Sequence, residues 1–519
     1  MFYQIKIILP FPTISTRFSM TFDEKTAIKT VLVLGGAYAG SRAIRILSEG
    51  IPKGWRIVLV DRNTHINHVY IFPRLAVLPG HEQKGFVPLD KLLDSERKQD
   101  LYLHAAVQSV HSSHVVLDRS FPNKGIPTQE LHFDYLIYAL GSRLPAPLDL
   151  WGSHPGSGSM SYKAPAMLRP YNGTKKEGMA WLKAHQDVIK GSGSVLVVGG
   201  GALGIQFAAD ISAIYPDKTI TLLHSRQRLL PRFDEKMHTE ILDTLQASDI
   251  QVILGERLDM NSTSDTVIKT NEQGQRIVRT MQGREVVADL ILLCTGQKPN
   301  THFISEMDSR CVNPRDGLAH VLSTMQLGVL SPPSAFSSEC TTPAMSESSS
   351  LSNSDILSPE KELEEALAQV ALAEADENNA GFAPSDLPKD SEETVEKEIT
   401  PYPNIFVIGD AADAFGAIPA GHTAYYQGEV AARNILRLIR RSKHEVNSSE
   451  MNILKEEPME SYEPGLPVIK VSLGLVGIKS VYQVNGVVGT SNDGIPDLNA
   501  AAIWGCFGYE VNGDEEMYI

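Results

Sequence analysis

Apolar and polar positions repeat one structural pattern twice along the chain. From Thr30, a short apolar run, a glycine-rich stretch and a helical pattern are followed by a second apolar run, RIVLVD, that ends at Asp61. The same order returns where apolar residues run into Gly199 and a helical pattern follows. Such runs predict buried parallel strands joined by helices. The chain is therefore predicted to be α/β, with two Rossmann-like dinucleotide-binding domains, the second inserted in the first.

Changes in composition mark the predicted domain boundaries. Serine, proline and acidic residues dominate from Ser331, which favours a disordered, solvated insertion with at most one helix, at Lys361–Ala373. After Pro464 the pattern predicts strands and a short helix, hence a small C-terminal α+β element. The predicted units are an N-terminal extension (1–26), the first nucleotide domain (27–150, 296–330 and 400–445), the second (151–295), the acidic insertion (331–399) and the C-terminal domain (446–519).

Composition narrows the function classes. With 519 residues, 42% of them hydrophobic, the chain has enough material for several cores. The net charge of −15 is uneven, because residues 331–400 hold 16 of the 62 acids and 3 of the 47 bases. The remaining 46 acids and 44 bases nearly balance, so no nucleic-acid-binding surface is predicted. The four cysteines form no CxxC pair, which favours a reducing compartment and predicts no metal site.

Two segments bear on location. The first acid is Asp23, and the residues before it suit a frayed extension, an import signal or a surface anchor. A later helical pattern carries five bases, which either rest on anionic lipid or face the C-terminal dipole of a core-packed helix. We expect a cytoplasmic protein, with peripheral membrane contact or a mitochondrial location as alternatives. The five bases are Arg433, Arg437, Arg440, Arg441 and Lys443.

The first glycine-rich turn fits GxGxxG except that Ala37 replaces the second glycine. In this fold the turn and the following helix start bind a pyrophosphate. Asp61, at the end of the next strand, has the spacing of an acid that binds a ribose hydroxyl. An ordinary tight turn is the alternative. The candidate cofactor-binding residues of the turn are Gly35, Gly36, Ala37, Tyr38, Ala39 and Gly40.

The second turn matches GxGxxG fully, with Gly199, Gly201 and Gly204 as candidate nucleotide-binding residues. Its next strand ends at His224, followed by Ser225 and Arg226, where an acid would favour NAD. Without a carboxylate to repel a 2′-phosphate, we expect NADPH to be tolerated. Arg226 either attracts that phosphate or is an ordinary surface base.

Three further glycines follow predicted strands. Gly141 and Gly296 each come after an apolar run and before a proline, which predicts a crossing between nucleotide domains with backbone close to a cofactor. Gly409 precedes Asp410 in VIGDAAD, and this carboxylate is placed for a ribityl hydroxyl or a phosphate-bound water. The strand before Gly296 contains Cys294, which we interpret as a packing residue.

Taken in order, these five motifs resemble the two-dinucleotide flavoprotein family of pyridine nucleotide oxidoreductases, over about Thr30–Leu436. The chain also resembles the apoptosis-inducing-factor-like, ferroptosis-suppressor type of NAD(P)H:quinone oxidoreductase. The resemblance implies that the first domain binds FAD and the second NAD(P)H. It also implies FAD contacts by Arg74 and Val107, besides Asp61 and Asp410. Gln206 departs from the pattern, because many relatives carry Glu there.

The resemblance implies an FAD-dependent oxidoreductase that takes hydride from NAD(P)H. Disulfide reductases of this family need a cysteine pair beside the flavin, and this chain has none, so a quinone or similar small molecule is the expected acceptor. No catalytic side chain is assigned, and His65, His68 and His422 are interpreted as structural. The alternative is an interaction or signalling protein that holds FAD with little turnover.

Overall fold

We describe a computed structural model of the chain. The predicted N-terminal extension (1–26), the acidic insertion (331–399) and its proposed helix lie outside the residues that the structure describes. Those residues are 28–144, 150, 171–263, 269–329, 400–444, 457–475, 479–492 and 495–519.

A six-stranded sheet forms the first nucleotide domain. Its strand Lys29–Leu34 is parallel to Trp55–Asp61 on one side and to Tyr135–Tyr138 on the other. Residues 31–34 are fully buried, as expected for a strand covered on both faces. The strand order is Gln326–Leu327, Tyr402–Val407, Tyr135–Tyr138, Lys29–Leu34, Trp55–Asp61 and Leu101–His104, with Gln326–Leu327 antiparallel to its neighbour.

The second nucleotide domain interrupts the first. Because Tyr402–Val407 lies parallel beside Tyr135–Tyr138, the chain leaves this sheet and later returns to it. The residues between them build a separate four-stranded parallel sheet. The predicted α/β fold with one Rossmann-like domain inserted in the other is thereby confirmed. The strand order of the second sheet is Gln251–Leu254, Thr219–His224, Ser194–Val198 and Leu290–Leu293.

The helices cover both faces of the sheets. Tyr38–Gly50 packs along Gly421–His444, and a Cβ atom at Gly428 would lie 2.5 Å from the carbonyl oxygen of Ala39. Glycine therefore sets the close approach of these two helices. Within the part of the chain that the structure describes, the α-helices are Tyr38–Gly50, Phe72–Leu75, Lys175–Gly191, Ala202–Ile214, Glu235–Ala247, His302–Met307, Gly421–His444 and Ala502–Gly505.

Smaller sheets complete the two domains. Val107–Val110, His114–Leu117 and Glu130–His132 form an antiparallel sheet in the first domain, and Lys269–Thr270, Arg276–Arg279 and Glu285–Ala288 form one in the second. The two-stranded pairs are His65–Asn67 with Phe86–Pro88, Ser142–Arg143 with Lys298–Pro299, and Ala319–His320 with Ala412–Asp413.

The C-terminal residues contact both nucleotide domains. An antiparallel sheet packs against the second-domain helices Ala202–Ile214 and Glu235–Ala247. The last residues return to the first domain, where Lys84 forms ion pairs with Asp497 at 2.6 Å and Asp514 at 2.8 Å. The strands of this sheet are Ile469–Ser472, Lys479–Val484 and Val487–Asn492.

Acidic residues cover the basic face of Gly421–His444. Glu460 pairs with Arg433 at 2.8 Å, and Glu457 pairs with Arg437 at 3.0 Å. Four of the five bases considered for lipid contact therefore bond to residues 457–460 of the same chain, and Lys443 is not described by its side chain. Among the helices of the described residues, none has the length and apolar character needed to cross a membrane. The four bases are Arg433, Arg437, Arg440 and Arg441.

Candidate functional site

The first glycine-rich turn leaves no room for side chains at two positions. Gly35 has φ +94°, and a Cβ atom there would lie 2.4 Å from the carbonyl oxygen of Ala139. A Cβ atom at Gly40 would lie 1.9 Å from the carbonyl oxygen of Gly35. These glycines bring the start of the helix Tyr38–Gly50 close to the carboxyl edge of the sheet.

The second turn repeats this geometry. Gly199 has φ +125°, and a Cβ atom there would lie 2.3 Å from the carbonyl oxygen of Cys294. A Cβ atom at Gly204 would lie 1.9 Å from the carbonyl oxygen of Gly199. At Gly201, by contrast, a Cβ atom would meet no protein atom within 4 Å. The fold itself therefore requires glycine at Gly199 and Gly204, whereas Gly201 faces open space.

Both helices that follow these turns begin without a side-chain cap. Tyr38–Gly50 and Ala202–Ile214 have no capping hydrogen bond and no acid in the first turn. In contrast, Thr174 and Glu177 form a capping box on Lys175–Gly191. The first amide groups of the two uncapped helices are thus left for a ligand, and a helix start favours a phosphate there. A dinucleotide pyrophosphate fits both places.

Asp61 is held beside the first turn by backbone amides. Its Oδ2 accepts a hydrogen bond from the Gly36 N–H at 2.9 Å, and its Oδ1 accepts one from the Asn63 N–H at 2.8 Å. Burial raises the pKa of Asp61, while these two hydrogen bonds oppose the shift. The carboxylate therefore has a defined orientation at the end of its strand, where this fold binds a ribose hydroxyl.

His224 takes the corresponding position in the second domain. Its Nδ1 accepts a hydrogen bond from the Gly200 N–H at 3.0 Å, and its Nε2 lies 3.1 Å from the carbonyl oxygen of Arg228. These partners assign the tautomer with hydrogen on Nε2. Burial lowers the pKa of His224, so the ring is neutral at neutral pH. Arg226 is exposed. Its side chain forms no hydrogen bond or ion pair with any residue that the structure describes.

The two glycine crossings between the domains contact each other. Gly141 and Gly296 have φ +59° and +58°, in the left-handed region that favours glycine. The strands that follow them, Ser142–Arg143 and Lys298–Pro299, pair antiparallel. The two crossings thus form one double-stranded connection between the nucleotide domains.

Asp410 lies next to this connection. Its Oδ2 accepts a hydrogen bond from the Ser142 hydroxyl at 2.9 Å. Burial raises the pKa of Asp410, and the bond from Ser142 opposes the shift. A Cβ atom at Gly409 would lie 3.5 Å from that of Ala39, in the first turn of the uncapped helix. The structure therefore brings Asp410, the Gly141 crossing and the first turn together.

Aromatic side chains surround the first helix start, and two of them, Tyr70 and Tyr425, had no role predicted from the sequence. The Tyr38 hydroxyl lies 2.9 Å from Nδ1 of His68. The ring centroid of Tyr38 lies 5.5 Å from that of Tyr70 and 6.3 Å from that of Tyr425. The Tyr70 hydroxyl accepts a hydrogen bond from the Gly421 N–H, where the helix Gly421–His444 begins. No motif pointed to Tyr70, because its partners lie far away in sequence.

The candidate histidines are neutral at neutral pH. Burial lowers the pKa of His65 to about 3 and that of His68 to about 4. Burial also lowers the pKa of His422, whose Nε2 is buried without a hydrogen-bond partner among the described residues. None of the three is a cation that could assist the reaction at neutral pH.

Arg74 and Val107, the FAD contacts implied by resemblance, lie in different settings. The Arg74 guanidinium is buried and forms an ion pair with Asp210 of the second domain at 2.9 Å. Its contact with FAD stays a prediction. Val107 is half-buried at the start of its strand, and its role also stays a prediction.

The described cysteines are buried thiols. Burial raises the pKa of Cys294 strongly and that of Cys311 to about 12. Neither is a thiolate at neutral pH, so neither has the reactivity that disulfide exchange requires. Cys506 is also buried, and Cys340 lies outside the described residues.

Several known proteins are similar to this chain in sequence. The family model "Pyridine nucleotide-disulphide oxidoreductase" matches residues 29–326. "Fe-regulated protein 8" of Mycosarcoma maydis is 34% identical over 498 residues, covering 93% of this chain and 97% of that protein. "Ferroptosis suppressor protein 1" of Taeniopygia guttata is 29% identical over 278 residues, which cover 52% of this chain and 63% of that protein.

Solved structures agree on the fold. The sulfide:quinone oxidoreductase from Aquifex aeolicus superposes with a TM-score of 0.56 at 14% identity, covering 94% of each chain. The family that the five ordered motifs predicted, the pyridine nucleotide oxidoreductases, is confirmed. FAD and NAD(P)H are confirmed as the cofactors. The chain therefore belongs to the pyridine nucleotide-disulphide oxidoreductase family and is an NAD(P)H-dependent flavin oxidoreductase.

Proposed function

We propose that this oxidoreductase passes electrons from NAD(P)H through FAD to a quinone or a similar small acceptor, without a redox disulfide. One observation carries the proposal. Two uncapped helix starts, each behind a tight glycine-rich turn, lie at the carboxyl edges of two sheets joined by paired crossings. Thiols of low reactivity support the exclusion of a disulfide step.

FAD fits the first domain. The amides at the start of Tyr38–Gly50 would bind its pyrophosphate, Asp61 a ribose hydroxyl, and Asp410 a ribityl hydroxyl or a bound water. When bound, the flavin supplies the hydride and electron chemistry, and the protein orients it. Ser142 fixes Asp410 through its hydrogen bond, and Gly36 and Asn63 fix Asp61.

The second domain supports use of NADPH as well as NADH. A carboxylate at the end of the second strand would repel a 2′-phosphate and favour NADH. The chain instead carries the neutral ring of His224 there, with the exposed guanidinium of Arg226 two residues on. A 2′-phosphate therefore meets no negative charge from His224 and has a cation within the same loop.

An exposed aromatic surface supports a small planar acceptor. Tyr70, Phe415 and Tyr426 are 44%, 48% and 59% exposed. Tyr70 bonds to the start of Gly421–His444, and Tyr426 lies in the second turn of that helix. Aromatic rings favour flat, conjugated ligands by stacking. We propose that Tyr70 and Tyr426, which both lie at the start of Gly421–His444, stack against a quinone ring.

Steady-state turnover of the FAD-loaded protein tests the proposal. We expect NADPH oxidation with a short-chain ubiquinone analogue, and no turnover with a small disulfide such as oxidised lipoamide. Replacing Tyr426→Ser should raise the KM for the quinone by several-fold and leave the KM for NADPH unchanged. Turnover with the disulfide alone would contradict the proposal. Retained FAD without turnover of any acceptor would favour a role in holding FAD for interaction or signalling.

A further inference from the structure

A buried ion pair joins the two nucleotide domains. The side chains of Arg74 and Asp210 are 0% and 1% exposed, and the guanidinium Nη2 lies 2.9 Å from the carboxylate Oδ1. Withdrawing two charges from water costs several kcal/mol per ion unless excellent geometry compensates. Apolar residues of similar volume often give equal or greater stability, so stability alone does not account for this pair.

The Arg74 guanidinium also contacts a third part of the chain. It donates hydrogen bonds to the Ser472 hydroxyl at 2.9 Å and to the carbonyl oxygen of Pro496 at 2.6 Å, and it also bonds to the carbonyl oxygen of Gly474. Its planar, forked donors suit such a shared contact better than an ammonium group would. One side chain thereby connects the first domain, the second domain and the C-terminal residues.

The backbone on both sides of the pair leads directly to a nucleotide site. Arg74 lies four residues after Tyr70, whose ring contacts Tyr38 at the first helix start. Asp210 lies in the helix Ala202–Ile214, which begins at the second glycine-rich turn. The short helix Phe72–Leu75 belongs to the first domain by sequence but packs in the apolar core of the second. The ion pair thus connects a segment next to the first site with the helix that begins at the second.

We propose that Arg74 and Asp210 are positioning residues that set the orientation of the NAD(P)H site relative to the flavin site. The proposal rests on the proposed function. In the reductive step, hydride, which is two electrons with one proton, leaves NAD(P)H and enters FAD, so that the nucleotide is oxidised and the flavin reduced. That step requires reacting atoms about 3–3.5 Å apart, and a displacement of about 1 Å costs about 100-fold in rate.

The test removes both charges together. A single substitution would leave one buried charge unpaired and destabilise the protein strongly. The double variant Arg74→Met with Asp210→Leu removes both charges, but it adds volume at position 210 and leaves the Ser472 hydroxyl and the carbonyl groups of Gly474 and Pro496 without their donor. The matched control is Arg279→Met with Glu285→Leu, because this second-domain pair is 49% and 52% exposed and lies on a surface sheet.

We expect the double variant to fold with a lowered unfolding midpoint, and its FAD content is measured first because the resemblance also implies an FAD contact by Arg74. The rate of anaerobic flavin reduction at saturating NADPH, measured by stopped-flow absorption, should fall by at least about 10-fold. The NADPH concentration that gives half the maximal rate and the rate of reoxidation by the quinone analogue should stay unchanged. Hydrogen exchange gives a readout without turnover. Amides in Phe72–Leu75 and Ala202–Ile214 should exchange faster in the double variant and not in the control.

Wild-type exchange and reduction rates in the double variant would overturn the inference. If that variant loses FAD, Arg74→Lys decides, because one ammonium nitrogen then replaces the Nη1 atom that contacts Pro496 and the Nη2 atom that contacts Asp210 and Ser472. A folded Arg74→Lys protein with wild-type reduction and exchange rates contradicts the inference, and a slowed one supports it. If wild-type flavin is not reduced by NADPH or NADH, the proposed function fails, while the exchange comparison still tests the link.

Discussion

Asp61 and His224 occupy equivalent places and differ in charge. Each accepts a hydrogen bond from the second residue of its glycine-rich turn, at 2.9 Å for Asp61 and 3.0 Å for His224. A carboxylate and a neutral imidazole can therefore perform the same structural task. The two sites therefore differ in the electrostatic field at the ribose of the nucleotide.

Replacing His224→Asp should shift the enzyme toward NADH. The new carboxylate can accept the same bond from Gly200, but its charge would repel a 2′-phosphate. We expect kcat/KM for NADPH to fall by at least about 10-fold, equivalent to about 1.4 kcal/mol, with a smaller change for NADH. His224→Asn, which is uncharged, is the matched control. An unchanged ratio of the two kcat/KM values in His224→Asp would exclude this role.

Gly201→Ala separates nucleotide binding from folding. A Cβ atom at Gly201 would meet no protein atom within 4 Å, and Ala37 already stands at the matching position of the first turn. We expect an unchanged unfolding midpoint and FAD content, with the KM for NADPH raised only a few-fold, because the added methyl group faces the space in which the second turn would hold the pyrophosphate. Gly191→Ala, another glycine with no atom within 4 Å of a new Cβ, is the control. A wild-type KM in Gly201→Ala would argue against the second turn as the nucleotide site.

Lys175 should make stability depend on pH. Its Nζ bonds to the carbonyl oxygen of Met517 and lies 4.4 Å from the centre of the Trp504 ring. Burial lowers the pKa of Lys175 from 10.5 to about 7. Between these values the unfolded chain binds a proton that the folded chain has released, so stability rises as pH rises across this range.

The measurement is the unfolding midpoint from about pH 7 to about pH 10. We expect the midpoint of the wild type to rise with pH relative to that of Lys175→Met, which lacks the titrating amine. Parallel pH profiles of the two proteins would show that the Lys175 amine titrates normally.

The helix Gly421–His444 depends on acidic residues that follow it in sequence. Glu457 and Glu460 bond to its arginines, which hold the pKa values of both carboxyl groups below their ordinary range. Their contribution is present above the ordinary Glu pKa and is lost as pH falls through the lowered one. We expect Glu457→Gln with Glu460→Gln to lower the free energy of unfolding by about 1–2 kcal/mol at neutral pH.

Chemical denaturation compares this double variant with Glu285→Gln. Glu285 pairs with Arg279 on an exposed sheet, so its loss should change the free energy of unfolding by less than about 0.5 kcal/mol. If the two variants lower the free energy of unfolding equally, Glu457 and Glu460 do not hold their segment on the helix.

Local patterns predicted the strands and glycine-rich turns, whereas distant partners escaped prediction. The turn glycines and the acid at Asp61 follow from spacing, because strand, turn and helix are contiguous. At His224 the sequence alone shows only that an acid is missing, and it does not reveal the hydrogen bond to Gly200. It also assigned Arg74 by resemblance alone, because its partners Asp210 and Ser472 become neighbours only when the domains pack.

The arrangement of the domains explains why so few side chains need chemistry of their own. Two sheets present their carboxyl edges and uncapped helix starts, and the paired crossings with Arg74 and Asp210 hold one domain against the other. Cofactors supply the reactive atoms in such an enzyme, and the protein supplies orientation and electrostatics. We therefore expect a change in domain orientation to lower the rate of flavin reduction more than the loss of any single polar group does.

Anaerobic absorption spectroscopy of the FAD-loaded wild type tests the central claim most directly. We expect NADPH to bleach the visible flavin band and a stoichiometric amount of the short-chain quinone to restore it, whereas oxidised lipoamide should not. A flavin band that stays unbleached with both NADPH and NADH, or that returns only with the disulfide, would contradict electron transfer from NAD(P)H through FAD to a quinone.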